Sequence, residues 1–437
     1  MKINAIHIHN KACSTALMML CCMVFFSCVE VDLCEESSHD HLSSVKLIYH
    51  WPDSIAEDER PDSMFAFFNR FTSTHRIGYI TDSETSVGGR YRFGKPKRLK
   101  TDSLMATAGD YRVFAFNNNL VSVAEDSLDE NTVADFRFEN FDNFFSEENQ
   151  SKTNLRDLYV SYIAHEITDS CLSPYGKNWS SVNPEFKYIP SNIKPIYCAE
   201  SKYNESTQSY SYTFNVQKDN KIEVHLYPQK VTQDITISFP IYTEYVESSN
   251  SDNQLHIDSI IAEISGIPHK MCIYDRTLMD DIIYKMLFKM NVDVENAKDT
   301  VLIVNSVTKT FKEVECKSTI SVMGLLANAK NTSYGAGILQ LCIYLGDKVY
   351  HAKINMYNTI NKANLVIKDD LGRNVQNPGI YPERPFNSTL RIDDSFLVIT
   401  RDFVLNTLNG ESSLDSWFGD KDGDGEIDDD HKLDIEI

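Results

Sequence analysis

The sequence predicts an all-β protein, and two observations carry that expectation. Apolar and polar residues alternate over short runs along most of the chain, as the period of two in a half-buried strand requires. β-Branched and aromatic residues fill these runs, with 22 Tyr and 23 Phe in the chain, and Pro, Gly and Asp punctuate them at turns. At 437 residues the chain is long enough for two or three domains and a large core.

The first segment reads as a leader. Lys2 and Lys11 precede an apolar run over residues 16–26, and Ser27 stands directly before Cys28. That order matches a bacterial export signal. The run falls short of the roughly 20 apolar residues that span a bilayer. A small residue ahead of a cysteine predicts cleavage before Cys28 and acylation of its thiol. Several acyl chains, at about 0.8 kcal/mol per buried methylene, hold a protein stably on a membrane. Residues 1–27 are therefore read as signal peptide and 28–44 as a lipidated tether; a soluble secreted product cut elsewhere is the competing reading.

Alternation begins at residues 45–51, where Val45, Leu47, Tyr49 and Trp51 share one face and Pro52-Asp53 ends the run. Further strands are expected over 64–68, 76–80, 111–116 and 211–216. Residues 221–227 turn Ile222, Val224 and Leu226 inward, and Pro228 is read as their stop. One short helical insertion is expected over 154–167, where Leu155, Leu158, Tyr159, Tyr162 and Ile163 recur at helical spacing behind Thr153 as N-cap. A domain boundary is placed near Pro228, giving domains over 45–228, whose strands are read as antiparallel, and 229–437.

The second strand series opens over 229–232 and continues with Ile235, Ile237 and Phe239, then 257–264, 301–304 and 317–323. Residues 279–291 suit a helix or a buried strand and are read as strand. Residues 338–345 and 349–356 flank Gly346-Asp347-Lys348 and read as a hairpin. A last strand is expected over 432–437. No internal repeat of the solenoid or propeller kind is visible.

The formal charge is −21, and without the leader, 40 basic residues face 63 acidic ones, for −23. Such a surface repels phosphate backbones and argues against nucleic acid as a partner. Of ten cysteines, Cys13, Cys21 and Cys22 leave with the leader and Cys28 is lipidated. Cys34, Cys171, Cys198, Cys272, Cys316 and Cys342 remain, and their spacing selects no pairing.

The acidic loop 420–430 holds the sharpest local pattern. Asp420, Asp422, Asp424, Glu426 and Asp428 alternate around Gly423 and Gly425, the arrangement by which Asp-x-Asp-x-Asp-Gly loops converge hard oxygens on Ca²⁺. His431 stands where an EF-hand places its bidentate Glu, so the full EF-hand rule is not met, and a solvated acidic loop fits the same residues. Cys34, His39 and His41 are of zinc-binding types, but two such histidines in a tether read equally well as polar linker. His165-Glu166 has no second histidine to make a zinc protease motif. Gly335-Ala336-Gly337 reads as a turn, and there is no nucleophile elbow or P-loop. The chain is read as no enzyme.

Taken together, Cys28, Leu33-Cys34, His39 and His41, residues 45–51, Gly109-Asp110-Tyr111-Arg112, Leu226-Tyr227-Pro228 and Ile264-Ser265-Gly266 resemble the fimbrillin-type anchor and minor-subunit lipoproteins of Bacteroidota, in a branch catalogued as a domain of unknown function. The resemblance implies two tandem transthyretin-like Greek-key β-sandwich domains tethered to the outer membrane and exposed at the surface. It implies a non-catalytic role in fimbria assembly or adhesion, with fimbrial subunits as partners; a surface glycan-binding lipoprotein is the alternative. The family's histidine pair carries a proline between its members that is absent here, and the acidic tail is a local addition.

Overall fold

The computed structural model describes residues 42–61, 64–71, 76–80, 103–107, 109–117, 136–139, 159–164, 183–191, 193–201, 203–204, 209–210, 213–217, 220–244, 257–304, 307–328, 332–346, 348–380, 385–392, 395–399, 405–409 and 416–419. Most of them are in strands. The one α-helix among the described residues is Tyr357–Ala363, ended by Asn364 in the left-handed conformation.

Eight strands form the first sheet, in the order Arg76–Ile80, Met64–Phe71, Gly109–Asn117, Tyr197–Ser201, Lys221–Lys230, Leu42–Tyr49 and Ser103–Thr107, with Thr213–Val216 beside Gly109–Asn117. Val45, Leu47, Val113, Ala115, Val224 and Leu226 bury one face together, as the alternation requires. Phe114, Phe116 and Cys198 point to the other face and join the main core.

Thirteen strands form a second, larger array. It folds over on itself through one strand of 27 residues, Leu278–Val304. The first half of that strand pairs with Ser259–Cys272, which is followed by Ile338–Leu345 and Lys348–Asn355. Its second half pairs with Val307–Val322, which is followed by Gln233–Glu244. The two layers enclose Ile235, Ile237 and Phe239 on one side and Ile260, Ala262, Ile264, Leu339 and Leu341 on the other. Three short strands that precede Pro228, at Phe136–Glu139, Tyr159–Tyr162 and Tyr188–Ile189, also pair within this array.

Three expectations change. The helix over 154–167 is not formed where it is described: Tyr159–Tyr162 is a strand between Phe136–Glu139 and Lys270–Cys272. Val160 and Tyr162 are buried there, and the Tyr162 hydroxyl accepts the Met323 N–H at 2.6 Å. The spacing fitted both periods, and long-range pairing decided between them. Pro228 does not stop its strand, which runs to Lys230. The parallel partner ends at Tyr49 opposite Leu226, with one further bond from His50 N–H to the Leu226 carbonyl. Pro228 thus has no ladder donor to lose on that side. Finally, the sheets are not purely antiparallel. Leu42–Tyr49 with Lys221–Lys230, Gln233–Glu244 with Ser388–Arg391 and with Ser395–Ile399, and the long strand with Tyr188–Ile189 are parallel pairs.

Gly266 makes a bulge possible. It sits at φ +108 where the register shifts between Ser265 and Ile267, and a Cβ there would lie 2.2 Å from the Leu326 carbonyl oxygen.

Candidate functional site

From Asn291 the long strand runs on as an arm at the border of the second layer, paired among the described residues only with Val307–Val322, which Gln233–Glu244 backs from Phe311 onward. Among the described residues no strand pairs with its outer side from Lys298 to Val304. The arm's base carries a register shift between Asp293 and Lys298, and Lys312 binds Asp299 at 2.6 Å. Bulges and charges of that kind normally blunt an edge. Beyond them the edge is bare: Thr300-Val301-Leu302-Ile303-Val304 has no charge, and Val301 is 63% and Ile303 59% exposed. Leu302 turns the other way and packs on Tyr242, Phe311 and Val398, which fixes the strand's rotation.

At the arm's root lies a cleft of about 430 Å³, lined by Asn291, Val292, Asp293, Glu315, Lys317, Ser318 and Thr319. Asp293 is directly opposite Glu315, and Asn291 directly opposite Lys317. Each carboxylate is held from the side. The Asn296 amide donates to both Asp293 oxygens at 2.9 Å, and the Arg391 guanidinium grips Glu315 at 2.5 and 3.3 Å.

A polar layer is buried on the face of Ser259–Cys272 and Leu278–Val304 opposite to Ile260, Ala262 and Ile264. Lys285 and Glu263 are each about 1% exposed, with Nζ 3.9 Å from the carboxylate. Lys285 donates to the Asn183 carbonyl at 2.6 Å and lies 4.2 Å over the Tyr188 ring, while the Tyr188 hydroxyl donates to Glu263. Burial lowers the Lys285 ammonium from its ordinary value, partly offset by Glu263. Nearby, Cys342 Sγ is 3.0 Å from His351 Nδ1. Burial pushes that thiol up to about 12, which favours its protonated form at neutral pH. Cys198, Cys272, Cys316 and Cys342 are all buried, and none forms a disulfide among the described residues.

On the first sheet, His50 Nε2 and His225 Nδ1 are 2.7 Å apart. The ring centres are 5.0 Å apart, only 2.3 Å more than the nitrogens, so the imidazoles meet tip to tip in a hydrogen bond. Tyr227 stacks on His50. Trp51 turns to the opposite face, edge-on to Tyr197. These rings therefore do not form one flat platform.

Cys28, Cys34, His39 and His41 lie outside the described residues, as do Asp420, Asp422, Asp424, Glu426 and Asp428 and the strand expected over 432–437. Among the described residues no group of three or more His, Cys, Asp or Glu is placed to hold a metal, and no helix is long and apolar enough to cross a membrane. The arm and the cleft were missed from sequence. The charge-free run 300–304 was the available signal for the arm.

No family model and no curated protein matches the chain. Solved structures give a loose likeness. A candidate adhesin from Bacteroides ovatus aligns over 82% of this chain and 97% of its own, at 11% identity and a TM-score of 0.37. The fimbrial anchor protein Mfa2 from Porphyromonas gingivalis aligns over 88% of this chain and 98% of its own, at 9% identity and a TM-score of 0.32. A Bacteroides thetaiotaomicron protein described as polysaccharide-binding aligns over 84% of this chain and 97% of its own, at 12% identity and a TM-score of 0.32. At these scores the functional assignment rests on the chain's own residues.

Proposed function

We propose that this chain is a non-catalytic outer-membrane lipoprotein, held by acyl chains on Cys28 and exposed at the cell surface, that acts as an anchor or accessory subunit in fimbria assembly or adhesion. The observation that carries this reading is the apolar edge at residues 300–304, where no described strand pairs with the outer side of the arm. An added strand gains main-chain hydrogen bonds there, and alternate side chains meet Val301 and Ile303, which supplies specificity. The partner is thus a fimbrial subunit presenting an extended, β-branched segment. The alternating acids from Asp420 to Asp428 bind Ca²⁺ in the same reading, with the weak affinity typical of extracellular modules. Chemical cross-linking in intact cells, read by mass spectrometry, tests the proposal. Recovery of a fimbrial subunit joined through Lys298, Lys309 or Lys312 supports it. Linkage of such subunits only to lysines away from the arm, or recovery of none, overturns it.

A second reading, a surface lipoprotein that binds glycans, is favoured by the cleft at the root of the arm, which Asp293, Glu315 and Lys317 help to line.

A further inference from the structure

We propose that the cleft between Asn291-Asp293 and Glu315-Thr319 is a binding site for a neutral sugar unit of a surface glycan. The proposal rests on the glycan-binding reading and gives it a place and a chemistry. Its size suits the ligand: about 430 Å³ lies within the few hundred to a thousand cubic ångströms of ordinary small-molecule sites.

Its lining suits a polyol. Asp293 and Glu315 offer acceptors, while Lys317 offers donors and the Asn291 amide offers both. Vicinal hydroxyls each donate one hydrogen bond and accept another, so adjacent carboxylate and ammonium groups satisfy them as a pair. The two carboxylates are also fixed before any ligand arrives, by Asn296 on both oxygens of Asp293 and by Arg391 on both oxygens of Glu315. A site whose groups are already oriented loses less conformational freedom on binding.

Asp293 faces Glu315 directly across the ladder, and the Arg391 guanidinium on Glu315 offsets the repulsion of like charges there, so both carboxylates stay side by side at the cleft. A metal ion is a poor fit to them. Lys317 lines the same cleft, Arg391 already neutralises Glu315, and no third acid or histidine is placed with the pair among the described residues. An acidic sugar would meet both carboxylates. A neutral, hydroxyl-rich ligand remains.

The full-length chain in detergent is titrated calorimetrically with neutral oligosaccharides of hexoses and hexosamines, and with uronic-acid oligosaccharides as the charged counterpart. Binding is expected for a neutral member and not for the acidic ones. Asp293→Asn and Lys317→Met are each expected to weaken it at least tenfold with an unchanged melting curve; the first removes a like-charge contact and so leaves folding intact. Neutral-sugar binding that survives within twofold in both variants overturns the site while the glycan reading stands. Absence of binding by the unaltered chain to any member overturns both.

Discussion

Replacing Val301 and Ile303 together by lysine should abolish docking on the arm while leaving the protein folded. Both side chains are already about 60% exposed, at 63% and 59%, so little over a third of each is buried in the free chain. Complete burial of Val or Ile stabilises by about 1.5 to 3 kcal/mol. The folded state therefore loses at most about 1 kcal/mol per position, and less where the lysine stem lies along the same surface. That corresponds to a melting shift of no more than roughly 4 °C per position in a protein this large. The exposed remainder is what a docked strand covers, about 1 to 2 kcal/mol per residue. Loss of both contacts amounts to about 2 to 4 kcal/mol, or roughly 30- to 700-fold in Kd. Two lysines on the edge also oppose strand addition outright. The assay is binding of the cross-linked partner to immobilised variant, with circular dichroism as the folding control. A folded variant that holds its partner within threefold of the unaltered chain would refute edge docking.

Other outcomes follow from features away from the arm. Gly266→Ala places a Cβ 2.2 Å from a carbonyl oxygen at a positive φ, and should destabilise by on the order of 3 kcal/mol or more in chemical denaturation. Glu263→Gln leaves the buried Lys285 without its carboxylate and should cost about 3 kcal/mol in the same measurement. Because burial lowers the Lys285 ammonium in the folded state, the unfolded chain binds that proton more tightly. Its contribution to stability therefore rises with pH from the lowered value up to about 10.5, and Lys285→Met should flatten the alkaline slope of the stability curve. Alkylation at pH 8, located by peptide mass spectrometry, should spare Cys272 and Cys342, whose thiols burial raises to about 12, until the chain is unfolded. Calcium should raise the melting temperature only at concentrations near about 1 mM, and Asp422→Asn with Asp424→Asn should remove the effect.

Most of the strands were legible because one face of each is buried. Residues 76–80 and 338–345 emerge with the expected bounds, and the hairpin turn at Gly346 is where its residues place it. Residues 279–291, ambiguous by period, are strand as read, although as one part of a much longer element. What failed was decided by distant partners. Tyr159 and Tyr162 satisfy a helical spacing, but Lys270–Cys272, more than a hundred residues away, pairs with residues 159–161, and Phe136 pairs with Tyr162. The candidate sites were illegible for the same reason. Nothing local to residues 300–304 says which side of the strand goes unpaired, and Asp293 and Glu315 meet only through the register of the arm. Cys28 and the acidic loop, by contrast, are patterns complete within a few residues.

The single strand shared by both layers also has a mechanical meaning. At about 3.3 Å per residue, Leu278–Val304 is a continuous cable of roughly 90 Å. A pull on the arm along its length runs down that cable, which Val307–Val322 grips over residues 291–304 and Ser259–Cys272 over residues 278–290. Load applied this way shears many hydrogen bonds at once instead of peeling them in turn. A strand added alongside residues 298–304 would be pulled in the same lengthwise sense, so the junction and the body behind it would resist tension together.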